Sequence, residues 1–292
     1  MRIELAWGAV RRFVLRVFWR GYLRRMAQTR QGETNQCPHP VLDPRDIKFY
    51  RNQGGYWWKA KDDPFTGRNE LPFIRVGLAE IVIFTLLFFV VGIVFYFLYW
   101  PLMIIPALLE LEILWFFRNP HRHIPQPPGH VVSPADGRVD VVEHLDHDPL
   151  IDGPAIKIAI FLSVFNVHIN RSPIRAMIFS VDYRHGKCTS ATRPASAEVN
   201  EQLEIRLEQL EAPYRVMRLT QITGAIARRI VCWVRPGDKL DRGQQYGMIK
   251  MGSRTELIIP HEKGLKLLVG VGDKVLAGSS VLAHYMDTNE EA

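Results

Sequence analysis

The longest apolar stretch of the chain runs from Ile81 to Leu109. It contains 29 residues without a charged side chain and has a glutamate at each border. A helix needs about 20 apolar residues to cross the hydrocarbon core of a bilayer, so this stretch predicts a membrane-embedded helical segment, which we assign to residues 71–115. The stretch is long for one span and short for two. A single span that ends near Pro101 and a re-entrant hairpin, broken near Gly92, Pro101 or Pro106, therefore both remain open.

Residues 2–26 show helical periodicity. At about 100° per residue, apolar side chains fall on one side of the predicted helix and arginines on the other. The apolar side carries Ile3, Trp7, Val10, Val14, Val17 and Phe18, and the basic side carries Arg12, Arg16 and Arg20. Such a helix is typical of a protein that lies on an anionic lipid surface, although packing on the protein's own core remains the alternative. We group residues 1–70 as this basic amphipathic helix and a linker.

Short apolar and β-branched runs separated by Gly, Pro and Asp turns predict strands in residues 116–292. The runs cover residues 131–133, 156–162, 178–181, 214–219 and 229–234. One long helix is predicted in this half, from Ala195 to Gln209. The fold class is therefore α+β, with membrane-associated helices preceding a β-rich domain.

The β-rich half contains an internal repeat. A Gly-Asp turn, an apolar residue two positions after the aspartate and a later glycine occur in residues 235–243 and again, 35 residues on, in residues 271–278. Two such units on either side of residue 253 predict a pseudo-repeated sandwich or barrel.

Within residues 248–260, one strand is predicted to end and another to begin at Gly252-Ser253. Glycine allows backbone conformations and close approaches that other residues do not, so the Ser253 hydroxyl could attack its own chain. The alternative is an ordinary Gly-Ser turn.

The composition narrows the classes of partner. The chain has 292 residues and a formal net charge of +7, which suits an anionic partner. Much of this charge belongs to the amino-terminal arginine helix and no recognition motif accompanies it, so nucleic acid is not expected as a partner. The three cysteines have no C-x-x-C spacing, so neither a disulfide framework nor a metal site is expected.

Three residues of reactive type stand where predicted strands give way to turns: Asp136, His168 and Ser253. A serine hydroxyl needs a base, and the base needs a partner that fixes its tautomer. We expect Ser253 as nucleophile, His168 as base and Asp136 as orienting residue. A hydrogen-bonded core histidine and a turn-forming aspartate remain the alternatives.

The chain from about Leu114 to Tyr285 resembles the short, membrane-associated form of phosphatidylserine decarboxylase. The matching motifs are Phe117-Arg118-Asn119-Pro120, Ser133-Pro134-Ala135-Asp136-Gly137, residues 161–168, Gly224 with residues 227–229, and Met251-Gly252-Ser253. Their number and order make the resemblance specific.

The resemblance implies self-processing between Gly252 and Ser253. It would produce a large chain of residues 1–252 and a small chain of residues 253–292 whose first residue becomes a covalent pyruvoyl group. This group would form a Schiff base with phosphatidylserine and support decarboxylation to phosphatidylethanolamine, without a metal. The family's aspartate and histidine correspond to Asp136 and His168. Longer members have a second histidine nearby that this chain lacks, so it stays open whether His168 serves both steps.

The lipid phosphate of such a substrate would need a positively charged donor. Lys187, Arg228 and Arg229 are the candidates, and a solvated surface charge remains the alternative for each. The expected location is the cell membrane, with the catalytic domain on the cytoplasmic side, and a homodimer remains open.

Two other function classes are compatible with parts of the sequence. A biotinyl or lipoyl carrier domain would be modified at Lys250, which lies next to the Gly-Asp repeats. A membrane scaffold without catalysis would not need Ser253 at all.

Overall fold

The computed structural model describes residues 10, 13–29, 61, 66–186, 189, 199–224, 229–250 and 253–286. The chain is α+β and divides into two compact units, residues 1–118 and residues 119–292. Among the described residues, helices make up most of the first unit, and strands dominate the second.

The described part of the first unit begins with helix. Residues 13–18 are helical, and α1 spans Arg20–Thr29. The helix predicted over residues 2–26 is therefore present where that segment is described, apart from Trp19, while residues 2–9 and most of the predicted linker lie outside the described residues.

A helical hairpin follows. Helix α2 (Leu78–Tyr99) and helix α3 (Ile104–Phe116) are joined by a 3₁₀ turn, Trp100–Met103, that contains one of the prolines of the apolar stretch. The Thr85 hydroxyl of α2 donates a 2.5 Å hydrogen bond to Glu110 Oε1 of α3, so the two helices run side by side. In the described residues, one helical stretch, residues 75–116, is long and apolar enough to cross a membrane.

The ends of this hairpin are tied together. The Ile74 N–H donates a 2.9 Å hydrogen bond to the Phe117 carbonyl, and Phe73 and Arg118 form an isolated antiparallel bridge. The Phe117 ring also occupies the space beside Gly77, where a Cβ would lie 2.1 Å from Cδ1. The first unit thus closes at the base of the hairpin.

The second unit is built from short strands. They are β1 (His130–Val132), β2 (Gly137–Asp148), β3 (Gly153–Leu162), β4 (Ile169–Arg171), β5 (Ala176–Arg184), β6 (Gln202–Gln209), β7 (Val216–Thr223), β8 (Arg229–Cys232), β9 (Lys239–Leu240), β10 (Gln245–Lys250), β11 (Ser253–Pro260), β12 (Leu265–Leu267), β13 (Lys274–Val275) and β14 (Val281–Tyr285). The five predicted strand runs are confirmed.

These strands form three antiparallel sheets. The large sheet has the order β13-β2-β3-β11-β7-β6-β5-β9, and the two small sheets have the orders β1-β14-β12 and β4-β10-β8. One face of the large sheet carries fully buried apolar side chains, among them Ile158, Ile160, Leu203, Ile205, Leu207 and Leu257. This apolar face is the core of the unit.

The two halves of the large sheet repeat each other. The hairpin β2–β3 has a bulge between Val139 and Val141, and the hairpin β5–β6 has one between Ile178 and Ser180. Beside each bulge, a short edge strand joins the hairpin: β13 pairs with β2, and β9 pairs with β5. The two Gly-Asp units predicted from the sequence therefore occupy equivalent places.

Steric constraints explain why glycine occupies four positions of these two units. Gly237 and Gly272 adopt φ values of 89° and 101°, which favour glycine. Gly243 and Gly278 leave room for Ile124, because a Cβ at either position would lie within 2.8 Å of that side chain. Ile124 thus packs where the two units meet.

The helix predicted over residues 195–209 is wrong. Residues 202–209 form β6, in which the fully buried Leu203, Ile205 and Leu207 alternate with less buried polar residues. This period of two is a strand pattern, and pairing with β5 and β7 uses it. Residues 195–198 lie outside the described residues.

Candidate active site

Ser253 is the first residue of β11, in the middle of the large sheet. Its Cα partners are Leu162 at the end of β3 and Thr223 at the end of β7. The preceding strand β10 ends at Lys250 and belongs to a different sheet. The predicted break between two strands is confirmed, and it is also the point where the chain passes from one sheet to another, although Gly252 itself lies outside the described residues.

The Ser253 side chain is unusual for a buried hydroxyl. It is fully buried, and its Oγ has no hydrogen-bond partner among the described residues. A buried polar group without a partner costs roughly 1–3 kcal/mol of stability, so such a group requires an explanation.

His168 is fully buried just before β4. Its Nδ1 lies 2.9 Å from the Asn166 carbonyl oxygen. Because a carbonyl only accepts hydrogen bonds, Nδ1 carries the proton in neutral His168 and Nε2 carries the basic lone pair. The His168 carbonyl accepts a hydrogen bond from the Ile249 N–H, four residues before Ser253.

Asp136 is buried immediately before β2. Its Oδ2 forms a 2.6 Å ion pair with Arg122 Nη2, and its Oδ1 accepts a 2.8 Å hydrogen bond from the Ala277 N–H. The sequence did not predict either partner. Arg122 could have been suspected only from its place shortly after the Phe-Arg-Asn-Pro motif.

The topology brings the three predicted residues toward one edge of the large sheet, namely the edge formed by the ends of its strands β2, β3 and β11. Asp136 precedes the start of β2, Ser253 starts β11, and β3 ends between these two strands at Leu162. His168 follows in the segment that leaves this edge and joins the small sheet containing β10.

A buried polar network lies next to this edge. Asn170 Nδ2 donates a 3.0 Å hydrogen bond to Thr255 Oγ1 and a 3.3 Å bond to the Pro134 carbonyl, and its Oδ1 accepts a 2.7 Å bond from Gln221 Nε2. Asn170, Gln221 and Thr255 are fully buried. Thr255 lies on the same face of β11 as Ser253, because side chains of a strand alternate. Sequence reasoning missed this network.

The structure describes the candidate phosphate donors only in part. Lys187 and Arg228 lie outside the described residues, and for Arg229 the structure describes the backbone, which starts β8 and pairs with Lys250. Lys250 is 7% exposed. A carrier domain presents its modified lysine at an exposed turn, so this burial argues against the carrier alternative.

The opposite face of β11 is charged. Arg254 is 1% exposed and forms an ion pair with Asp140 of β2, and its Nη1 lies 3.9 Å from Glu256 Oε1. Burial raises the pKa of both Asp140 and Glu256 above the usual carboxyl range, and the positive charge of Arg254 offsets part of this effect.

Comparisons with known proteins agree with this geometry. Residues 109–283 match the family model for phosphatidylserine decarboxylase. The phosphatidylserine decarboxylase proenzyme of Rhodopirellula baltica is 49% identical over 239 residues, which cover 82% of this chain and 99% of that protein. The proenzyme of Syntrophus aciditrophicus is 38% identical, covering 77% and 100%, and that of Symbiobacterium thermophilum is 42% identical, covering 75% and 95%. The chain therefore belongs to the phosphatidylserine decarboxylase family.

Proposed function

We propose that this protein is a self-processing phosphatidylserine decarboxylase that converts Ser253 into a pyruvoyl group. The observation that carries the proposal is the buried Ser253 hydroxyl, which has no hydrogen-bond partner among the described residues and starts a strand where the chain changes sheets. No other described residue holds this hydroxyl in a hydrogen bond, so it is available to attack the preceding carbonyl, and the site fits a pyruvoyl group made from Ser253.

The first step is attack by Ser253 Oγ on the Gly252 carbonyl carbon. His168 takes the hydroxyl proton, and the peptide bond is replaced by an ester as the Ser253 nitrogen becomes an amine. Elimination then breaks the bond between Cβ and Oγ of residue 253 and releases the large chain with a carboxylate at Gly252. Residue 253 is left as an unsaturated amine, and hydrolysis of its imine form releases ammonia. The whole sequence therefore consumes one water and leaves a ketone on residue 253.

The tautomer of neutral His168 supports its role as the base. The Asn166 carbonyl holds the proton on Nδ1, so Nε2 is the nitrogen that accepts one. Asp136, held by Arg122 and the Ala277 amide, lies at the same edge and remains the proposed orienting residue of the site.

Decarboxylation of an α-amino acid requires an electron sink, and the pyruvoyl ketone supplies it. The bond between the α-carbon and the carboxylate of the lipid serine breaks, the carboxylate leaves as carbon dioxide, and the α-carbon takes up one proton in its place. His168 is the group that we assign to deliver this proton. Lys187, Arg228 and Arg229 remain the proposed donors to the lipid phosphate.

The two chains stay together after processing because strands of the small chain pair with strands of the large chain. Its first strand, β11, is paired on both sides, with β3 and β7 of the large chain. Its last strand, β14, pairs with β1 of the large chain. The domain of residues 116–292 is thus proposed to work as one body made of two chains.

A membrane location supports this substrate. The α2–α3 hairpin has the length and apolar composition of a membrane-embedded segment, and the helical residues 13–18 and 20–29 precede it. We assign the protein to the cell membrane with the catalytic domain on the cytoplasmic side, where it would meet phosphatidylserine in the bilayer.

Denaturing mass spectrometry tests the proposal. The wild-type protein is expected as two chains, 1–252 and 253–292, whereas Ser253→Ala stays a single chain. Ser172→Ala is the matched control, because this buried hydroxyl donates a 2.7 Å hydrogen bond to the Ile174 carbonyl and has no proposed role in processing. A single uncut wild-type chain with full decarboxylase activity would overturn the mechanism.

A second measurement tests the supporting residues. His168→Ala and Asp136→Asn are each expected to slow or abolish splitting. Borohydride treatment of the wild type with phosphatidylserine is expected to trap an adduct on the smaller chain. Normal splitting in both variants would remove these residues from the processing role.

A further inference from the structure

Arg254 is the residue directly after the proposed cleavage site, and its side chain is anchored in another strand. It is 1% exposed, and its Nη2 forms an ion pair with Asp140 Oδ2. Asp140 lies at the bulge of β2, and β3 lies between β2 and β11. The ion pair therefore crosses a whole strand of the large sheet.

Stability alone is a weak explanation for this pair. Removing two charges from water is costly, and buried ion pairs can often be replaced by apolar residues without loss of stability. Asp140 Oδ1 and Glu256 Oε1 are buried without a hydrogen-bond partner among the described residues, which adds to the cost. A specific geometry is the better-attested benefit of such a pair.

Processing creates a need for a specific geometry at this point. Before cleavage, residue 253 is held by the chain on both sides. After cleavage it is a chain end, and it has lost its backbone N–H, because the nitrogen leaves as ammonia. The first N–H of the small chain then belongs to Arg254. Chain ends fray unless they are tied down, whereas a reacting group must stay in place.

We propose that the Arg254–Asp140 ion pair is a positioning device that holds the new amino terminus of the small chain in the active site. This inference rests on the proposed function, since it requires cleavage before Ser253. Arg254 acts through the position of residue 253 and is not itself a catalytic residue.

Asp140→Asn provides the main test, because it keeps the size of the side chain and removes its charge. The matched control is Glu143→Gln, which removes a charge from the same strand β2 and breaks the 3.0 Å ion pair between Glu143 and Lys157 of the neighbouring strand β3, where both side chains are more exposed. Arg254→Lys is the conservative variant, which retains the positive charge without the planar fork of arginine.

Hydrogen exchange separates positioning from a general structural role. Protection of the backbone amides of residues 255–258 is measured by mass spectrometry in mature enzyme and in uncut protein carrying Ser253→Ala. Asp140→Asn is expected to lower this protection at least about tenfold in the mature enzyme and to change it little in the uncut chain, which is held on both sides. Glu143→Gln is expected to match the wild type in both forms.

Kinetics of the mature enzymes provide the second readout. Asp140→Asn is expected to lower kcat by about 10- to 100-fold at nearly unchanged KM, because a small displacement of a reacting group has effects of this size. Arg254→Lys is expected to lie between this variant and the wild type. Equal loss of protection in cut and uncut chains, or wild-type protection and kcat in Asp140→Asn, would overturn the positioning role.

The outcomes also separate this inference from the proposed function. If the wild type does not split, the proposed function fails, and the inference fails with it. If the wild type splits and Asp140→Asn behaves as the wild type does, the inference alone fails.

Discussion

Gly137 follows Asp136 and starts β2, and a side chain at this position has no room. A Cβ built on Gly137 would lie 2.2 Å from the carbonyl oxygen of Phe161 and 2.9 Å from Ile160 Cγ2. Carbon and carbonyl oxygen atoms in contact are normally about 3.3–3.6 Å apart, so Gly137→Ala must separate the two backbones by roughly 1 Å. Phe161 is in the ladder next to β11, and the displacement would reach the edge that contains Ser253.

The size of the effect follows from the atoms involved. Overpacking in a well-packed region costs typically about 1–3 kcal/mol, and each weakened ladder hydrogen bond adds roughly 1 kcal/mol. We therefore expect Gly137→Ala to destabilise the protein by about 2–4 kcal/mol, which corresponds to a decrease in apparent Tm of roughly 5–15 °C for a domain of this size.

Gly153→Ala is the matched control. Gly153 starts β3, at the other end of the same hairpin, and a Cβ there would meet no atom within 4 Å. Thermal unfolding in detergent at one scan rate, with both variants in the Ser253→Ala background, compares the two as single chains. Splitting is then followed in the Ser253 background, where we expect Gly137→Ala to be slower. Equal Tm values for the two variants would refute the steric reasoning.

Three further predictions concern buried groups. Burial raises the pKa of the Cys232 thiol to about 12, so we expect this cysteine to resist alkylation at pH 8 until the protein is denatured, as peptide mapping would show; rapid labelling of the native protein would contradict its burial. Burial also raises the pKa of Glu256, so between the usual and the raised pKa the folded chain binds more protons than the unfolded chain, and stability falls as pH rises through that window. At pH values above this window, Glu256→Gln is expected to have a higher Tm than the wild type, and its Tm is expected to depend less on pH. A steeper pH dependence of Tm would argue against a raised pKa of Glu256. Asn170→Ala leaves Gln221 Nε2 and Thr255 Oγ1 without their hydrogen bonds to Asn170, so we expect a loss of about 2–4 kcal/mol in denaturant unfolding; a loss below about 0.5 kcal/mol would show that the network is dispensable.

Several features of the fold could be predicted from sequence because they depend on local pattern. The apolar stretch around Gly92, the strand break before Ser253 and the repeated Gly-Asp turns each occupy a short stretch of the chain. The helix predicted over residues 195–209 is wrong because Leu203, Ile205 and Leu207 alternate with more polar residues at the period of two that is typical of a strand. That alternation was itself a local signal that indicated a strand.

The candidate site was predictable only in part. The sequence and its family resemblance point to Ser253, His168 and Asp136 as the reactive residues. They do not reveal that the Asn166 carbonyl fixes the tautomer of His168, or that Arg122 and the Ala277 amide hold Asp136.

Residue types and periodicity along the chain determined where strands form and which residues could react. The tertiary structure decided which of these residues meet. Asn170 bonds to Thr255 across 85 positions of sequence, and Arg254 pairs with Asp140 across 114. Such contacts depend on strand order and register, which arise when whole sheets pack, and no local pattern specifies them.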